Sequence, residues 1–194
     1  NPPQFGLLQI RPLVLTREAD ELEVETVDPE LVLCQSDKAL GHGFFNDICD
    51  IVLVDRDRYD RSKSQIVAAE VSAFNRKLVG ERRPYVLIGV GRWGSFDPWL
   101  GVPVKWDQIA GAKVIVETSF KDFDVTPSQG THFFQNITSF GVGYFTVPTD
   151  SREGFVDWKW LQDQPSMEEK EYTRHIRLPA PLEVKINGQH NKGI

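Results

Sequence analysis

The spacing of apolar positions along the chain predicts an α/β fold. Short apolar runs at residues 31–34, 50–55, 85–89 and 112–117 are typical of buried strands. Between the second and third runs, apolar residues recur every three or four positions, which predicts an amphipathic helix. Its predicted buried face consists of Val67, Val71, Phe74 and Leu78. Strands that alternate with helical segments are typical of α/β domains.

The ends of this helix have recognisable signals. Ser62 and Gln65 have the spacing of a capping box, and Gly80 is a plausible terminator. Further along, we expect only a short helical turn at residues 106–110 and a late strand at residues 182–186. The turn signal Asn187-Gly188 follows that strand. These elements suffice for one domain.

We divide the chain into three parts. Residues 1–30 contain a strand at 5–15 and then an acidic stretch, which suits a solvated connector. Residues 31–150 form the central α/β domain. Residues 151–194 are predicted to be an extension packed on that domain.

Composition excludes several classes of function. The 194 residues carry a net charge of −6, and clustered basic residues of the kind that bind nucleic acid are not seen. No apolar run is long enough to span a bilayer, and no signal peptide is recognisable, so we expect a cytoplasmic protein without a membrane partner. Cys34 and Cys49 lack metal-ligand spacing and are interpreted as core residues.

A glycine-rich segment follows the predicted strand at 85–89. Gly89 to Gly94 formally match the dinucleotide motif GxGxxG, but Pro98 and Pro103 rule out the helix which that motif requires. We therefore reject dinucleotide binding.

Two interpretations of this loop remain open. Arg92 and Ser95 are candidate phosphate-binding residues, because a guanidinium grips phosphate oxygens in a bidentate manner. Alternatively, Trp93, Trp99 and Trp106 simply pack the loop on the core.

His132 is the candidate catalytic residue. The sequence predicts that it lies where a loop meets a short helix, and the backbone N–H groups of a helix start stabilise anions. Neutral imidazole is a good nucleophile near pH 7, so His132 is a candidate phosphoryl carrier. Gly130, Thr131 and Gln135 are candidate phosphate contacts. The alternative is a half-buried histidine without a chemical role.

The other histidines have plain explanations. His42 lies between two glycines at an expected turn, His175 is predicted on the polar face of a strand, and His190 lies in a polar tail. None has a carboxylate or cysteine partner at ligand spacing, so we expect no metal site.

Two motifs resemble the PEP-utilising enzymes, namely PEP synthase, pyruvate phosphate dikinase and enzyme I of the sugar phosphotransferase system. Thr131-His132, followed by Gly141-Val142-Gly143, resembles the family's phosphohistidine segment. Upstream, Gln9-Ile10-Arg11-Pro12 resembles the end of the ATP-grasp domain in PEP synthase and dikinase. The block from Gly91 to Gly101 is also similar to bacterial PEP synthase-like proteins. The family's Ser before the histidine is missing, and its helix Arg is replaced by Thr138.

The resemblance implies a swivelling phosphohistidine domain, preceded by a strand left from an ATP-grasp domain. His132 would carry a phosphoryl group from ATP on that neighbouring domain, where Gln9 and Arg11 lie, to a small-molecule acceptor. ATP and Mg²⁺ are implied for the full-length protein only, and this chain alone is not expected to turn over. The alternative is an inactive interaction or regulatory domain on the same scaffold. A third hypothesis is an independent phosphotransferase with the glycine-rich loop as its phosphate cradle.

Overall fold

A computed structural model describes residue 24 and residues 27–120, 124–125, 135–137, 139–148 and 152–194. Within these ranges the chain is a mixed α/β structure with one large curled sheet and few helices. The expected α/β class is confirmed. The strand predicted at residues 5–15 lies outside the described residues.

Four neighbouring strands of the sheet run parallel. They are β3 (His42–Val54), β4 (Tyr85–Val90), β7 (Ala112–Thr118) and β8 (Gly143–Val147), and they are adjacent in this order. Every residue of β4 and β8 is buried. Their continuous apolar runs arise because a parallel sheet is covered on both faces. The strands predicted at 50–55, 85–89 and 112–117 are therefore confirmed, although β3 begins eight residues earlier than predicted.

A long antiparallel strand extends this parallel unit. Strand β11 (Thr173–Asn187) pairs with β3 and ends at the predicted Asn187 turn. Short strands complete the sheet: β1 (Cys34–Ser36), β2 (Ala39–Leu40), β9 (Gly154–Val156), β10 (Ser166–Glu169) and β12 (Lys192–Gly193). The strands from 154 to 193 thus lie in the same sheet as those of the central region.

The sheet curls so that its two ends approach each other. Strand β2 pairs with β8 at one end, while β12 and β1 follow β11 towards the other. The backbone N–H of Ala39 nevertheless donates to the carbonyl of Asn191 at 2.8 Å, and the Ser36 hydroxyl of β1 donates to the carbonyl of Thr146 in β8 at 2.6 Å. This curl encloses one apolar core on the concave face of the sheet.

The opposite face of the sheet is covered by helix α1 (Ser64–Gly80). All four predicted face residues, Val67, Val71, Phe74 and Leu78, are buried, so the amphipathic helix is confirmed. Its start differs from the expected Ser62–Gln65 box, because a 3₁₀ turn at Arg61–Lys63 comes first. Asp60 caps that turn, with its side chain accepting from the Ser62 N–H at 2.8 Å.

Smaller elements connect the strands. A 3₁₀ turn at Trp106–Gln108 confirms the expected helical turn, and helix α2 (Trp158–Asp163) packs Leu161 into the concave core. None of the helices among the described residues is long and apolar enough to cross a membrane.

Candidate functional site

The candidate site lies at the carboxyl edge of the parallel strands. Strands β3, β4 and β7 end side by side at this edge, and each is followed by a loop. Ligands of α/β proteins commonly bind outside the carboxyl ends of such strands. The loop after β4, which we call the glycine loop, spans residues 91–102 and contains the paired short strands β5 (Arg92–Trp93) and β6 (Gly101–Val102).

Two glycines allow the base of the glycine loop to close. A Cβ on Gly91 would lie 2.7 Å from the carbonyl oxygen of Leu100, and a Cβ on Gly101 would lie 1.9 Å from that of Arg92. Gly91 also has a φ of +73°, which L-residues seldom adopt. After Gly94 the chain continues through turns to β6 without entering a helix. The glycines therefore serve loop closure, and the rejection of dinucleotide binding is consistent with this geometry.

A buried carboxylate anchors the glycine loop to the sheet. Glu117, near the end of β7, is 0% exposed. Its Oε1 accepts from the Trp93 N–H at 2.8 Å, and its Oε2 accepts from the Tyr144 hydroxyl at 2.5 Å. The Trp93 indole N–H donates to the carbonyl of Val116 at 3.2 Å. One side chain thus joins the loop to β7 and β8.

The environment of Glu117 shifts the pKa of its carboxyl group. Burial raises the pKa of Glu117 to about 7, because the charged form loses its hydration. Hydrogen bonds from Tyr144 and Trp93, together with the charge of Arg92, act in the opposite direction without cancelling that rise. Glu117 therefore changes charge near neutral pH. It is too enclosed to contact a substrate, so we assign it a structural role in holding the loop.

The two predicted phosphate-binding residues of the glycine loop have different environments. Arg92 is half-buried at the loop base, near enough to Glu117 to influence its charge. The Ser95 hydroxyl donates to the carbonyl of Asp97 at 3.1 Å and accepts from the Asp97 N–H at 3.3 Å. Ser95 therefore already serves the turn of its own loop, whereas Arg92 lies at the base of the loop beside the buried Glu117.

The three tryptophans of this region do not share one role. Trp93 is 2% exposed and packs the loop on the core, as the packing interpretation requires. Trp106 is half-buried and stacks on Phe140 with ring centroids 5.7 Å apart. Trp99, in contrast, is 68% exposed. The packing interpretation holds fully for Trp93 and not for Trp99.

Trp99 belongs to an open groove beside the glycine loop. The groove has a volume of about 570 Å³ and is lined by residues 59–62 after β3, by Pro98 and Trp99, and by Phe120 after β7. The Arg61 guanidinium carbon lies 5.2 Å from the Trp99 ring centroid and 5.7 Å from that of Phe120. Three consecutive loops of the carboxyl edge thus meet at this groove, which sequence reasoning missed because their residues are far apart in the chain.

Most residues of the predicted phosphohistidine site lie outside the described part of the chain. These residues are Gly130, Thr131 and His132, and the predicted nucleotide-binding residues Gln9 and Arg11 also lie outside it. Gln135 is described, and it is exposed in a helical segment that leads towards β8.

The described chain does show where the segment after β7, which precedes His132 in the sequence, leaves the sheet. Ser119 directly follows β7, its hydroxyl donates to Asp124 at 2.5 Å, and it accepts from the Val125 N–H at 2.9 Å. The chain after β7 therefore leaves the sheet at its carboxyl edge.

A second polar cluster, which the sequence interpretation missed, lies at the opposite edge of the parallel strands. His175 was expected on the polar face of a strand, but it is 0% exposed. Its Nε2 lies 2.7 Å from Oδ1 of Asp50, whose side chain is 1% exposed. Arg177 donates to the same oxygen at 2.8 Å, and Arg83 donates to Oδ2 at 2.7 Å. The expectation for His175 is wrong because strand β11 pairs with β3 inside the sheet.

Hydrogen bonds dominate the ionisation of Asp50. Burial alone raises the pKa of Asp50, but hydrogen bonds from Arg177, His175 and Arg83 outweigh it, so the pKa lies below its ordinary value. The carboxylate stays charged and holds together residues more than 100 positions apart. We interpret this cluster as structural.

Among the described residues, no group of three or more His, Cys, Asp or Glu side chains is placed to hold a metal ion. Comparisons of the chain with protein-family models, with curated proteins and with solved structures find no match. Any family assignment therefore rests on the sequence motifs and is a proposal.

Proposed function

We propose that this chain is the phosphoryl-carrier domain of a phosphotransferase similar to PEP synthase and pyruvate phosphate dikinase. Its α/β unit would be the swivelling domain, and His132 would carry the phosphoryl group. The observation that supports the proposal is that the chain leaves β7 at the carboxyl edge through Ser119, which precedes His132 in the sequence. The glycine loop and Arg92 lie at that same edge, which is where α/β proteins bind anionic ligands.

The proposed reaction is a transfer in two steps. A neutral imidazole nitrogen of His132 attacks the phosphorus of the donor, a nitrogen–phosphorus bond forms, and the bond to the donor's leaving oxygen breaks. In the second step the acceptor oxygen takes the phosphoryl group, and the imidazole is regenerated. Arg92 would stabilise the negative charge on the phosphoryl oxygens. ATP and Mg²⁺ would bind to the neighbouring ATP-grasp domain of the longer protein, close to Gln9 and Arg11.

The test is direct labelling of the full-length protein. We expect incubation with γ- and β-labelled ATP to give protein-bound label that is acid-labile and base-stable, as a phosphohistidine is. His132→Ala should abolish the label, whereas His190→Ala, which alters an exposed histidine of the polar tail, should leave it unchanged. A label that is absent from the native protein, or that survives in His132→Ala, excludes the carrier function.

A second candidate function is a non-catalytic interaction domain on the same scaffold. Exposed aromatic residues at the tip of the glycine loop favour it, since Phe96 is 81% exposed and Trp99 is 68% exposed. Large aromatic side chains are enriched at binding interfaces. An absent label, together with retained folding of the protein, would favour this function over the carrier.

A further inference from the structure

A second groove lies at the amino edge of the parallel strands, and we call it the amino-edge groove. It contains Asp47 of β3, Val79 and Arg82 at the end of α1, Lys113 of β7, and Phe140 shortly before β8. Its volume is about 500 Å³, which falls within the range of ligand sites. Segments that are far apart in the chain thus meet at this groove.

Strand β3 has an open edge beside the amino-edge groove. Residues 42–48 pair with β11 on one side, whereas pairing with β4 on the other side begins only at Asp50. No strand of the described chain pairs with that other side of residues 42–49. In an antiparallel pair, alternate residues direct their N–H and C=O groups away from the partner, so about half of these residues offer backbone groups to an added strand. Phe44, Asn46 and Asp47 are exposed, so solvent reaches this edge.

The groove also contains exposed apolar side chains. Phe140 is 61% exposed, although its ring stacks on Trp106 with centroids 5.7 Å apart and planes 16° apart. Val79 is 50% exposed. Exposed apolar side chains that line one concavity are typical of interaction sites. An apolar side chain of a partner can therefore pack on Phe140.

Two cations of the groove have no ion pair. Arg82 and Lys113 are exposed, and neither side chain forms a salt bridge or hydrogen bond within the described part of the chain. Arg83, in contrast, is bound to Asp50. Asp47 is the one carboxylate among the described residues that line the groove. Because the whole chain carries a net charge of −6, two unpaired cations in one groove are a local exception, and they favour an acidic partner.

The backbone of Arg82 gives a separate sign that its side chain has a role. In the turn that ends α1, the Arg82 N–H donates to the carbonyl of Val79 at 3.0 Å, and the Arg83 N–H donates to that of Leu78 at 2.9 Å. Arg82 has a φ of +56°, and helices prefer glycine at such a position. The turn itself therefore does not favour arginine, which is consistent with a binding role for the guanidinium.

The geometry points to the amino-edge groove as a binding site for an extended, acidic segment of a partner protein. The segment adds to the open edge of β3 as a further strand, an apolar side chain packs on Phe140, and carboxylates pair with Arg82 and Lys113. Strand addition gives affinity through main-chain hydrogen bonds and specificity through alternate side chains. The inference goes beyond the phosphoryl-carrier proposal, because this groove lies at the edge opposite the glycine loop and no step involves His132.

Binding of three labelled peptides to the full chain, measured by fluorescence anisotropy, tests this site. The first peptide alternates valine and glutamate around a central leucine and is about eight residues long. The second has lysine in place of glutamate, and the third is the first peptide with every backbone nitrogen methylated, so that it cannot donate to a strand. We expect the second and third to bind at least about tenfold more weakly than the first. Equal binding of the three, or no binding of the first at a protein concentration of about 0.5 mM, overturns the inference.

Hydrogen exchange locates the bound peptide. Amides of residues 43–47 should exchange more slowly when the first peptide is present, because those that point away from β11 become donors to the added strand. Strand β10 pairs only with β11 and has a second exposed edge, so its residues 166–169 are the comparison and should be unaffected. Protection of β10 to the same extent as β3 would contradict a specific site.

Matched variants test the cation and the apolar contact. Arg82→Gly should weaken binding of the first peptide about fivefold, yet thermal unfolding should show a protein at least as stable as the native one, since glycine suits the turn. Phe140→Ala should weaken binding about tenfold. Arg76→Gln and Phe96→Ala are the controls, because both residues are exposed and neither lines the groove. Equal losses in the controls would place the peptide elsewhere and overturn the inference.

A second copy of the chain is the competing occupant of the groove. Sedimentation velocity of the chain without peptide should show a monomer. A dimer that dissociates in Phe140→Ala would assign the groove to self-association and overturn the inference. His132→Ala should bind the first peptide as the native chain does, so a failed labelling experiment and a failed binding experiment remain distinguishable.

Discussion

Polar and aromatic residues at the two edges of the parallel strands differ in burial and in hydrogen bonding. At the amino edge, Asp50 is enclosed, and two side chains from β11, together with Arg83 just before β4, saturate both of its oxygens. At the carboxyl edge, the Tyr59 hydroxyl is unpaired within the described residues, and Trp99 is largely exposed. The difference teaches that a cluster of ionisable residues is not by itself a site. Groups that satisfy one another hold a fold together, whereas an exposed side chain beside a groove, such as Trp99, stays accessible to a ligand or partner.

The largest expected effect comes from breaking the amino-edge cluster. Asp50→Asn removes the charge that His175, Arg83 and Arg177 share, and we expect it to lower the free energy of unfolding by about 3 kcal/mol. Urea unfolding followed by circular dichroism measures this loss. Asp47→Asn, at an exposed position of the same strand, should change stability by less than about 0.5 kcal/mol. Similar values for the two variants would show that the cluster does not stabilise the protein.

The role of Glu117 as the anchor of the glycine loop can be tested by measuring the stability of the protein as a function of pH. Its pKa rises from an ordinary 4.5 to about 7 on folding, so the folded protein binds the proton more tightly. The stability contributed by this proton is fully present below pH 4.5 and is lost as the pH rises through 7, a change of about 3 kcal/mol.

Glu117→Gln should therefore flatten the stability profile between pH 4.5 and 7 in urea titrations. The amide still accepts from the Trp93 N–H, so the loop anchor survives in part. Glu183→Gln, at an exposed position, should leave the profile unchanged. A profile that keeps its slope in Glu117→Gln would contradict the assignment.

Closure of the glycine loop is expected to be sensitive to one methyl group. In Gly101→Ala the new Cβ would lie 1.9 Å from the carbonyl oxygen of Arg92, so the loop base must open. We expect a loss of about 1–3 kcal/mol, measured by thermal unfolding. Gly80→Ala is the control, because nothing lies within 4 Å of its added Cβ. Equal stability of the two variants would show that the loop base is adaptable.

The smallest effect on stability is expected at the open groove. Trp99→Ala removes a side chain that is 68% exposed, and the free energy of unfolding should change by less than about 0.5 kcal/mol. Chemical denaturation of this variant, beside Trp93→Ala as the buried counterpart, measures the contrast. If Trp99→Ala destabilises the protein as strongly as Trp93→Ala, then Trp99 is a packing residue. The contrast between the enclosed Asp50 cluster at the amino edge and exposed residues at the carboxyl edge would then not hold.

Part of the candidate site could be predicted from the sequence. Arg92 and Ser95 were recognised because a glycine-rich loop after a strand is a local pattern, and the structure shows this loop at the carboxyl edge. Tyr59, Trp99 and Phe120 were not grouped, since they follow three different strands and meet only when those strands pair. His175 was misjudged for the same reason: its partner Asp50 lies 125 residues away.

The sequence by itself determined the local elements, namely helix α1 with its buried face, the apolar strands β4 and β7, and the turn after Asn187. A spacing of 3.6 residues, continuous apolar runs and turn residues encode these elements directly, because they depend on near neighbours in the chain. Only the tertiary structure decided that β11 lies beside β3, that Glu117 holds the glycine loop, and that Arg61 reaches Trp99. These contacts follow from strand order and register, which join distant segments through burial and hydrogen bonding that no local pattern encodes.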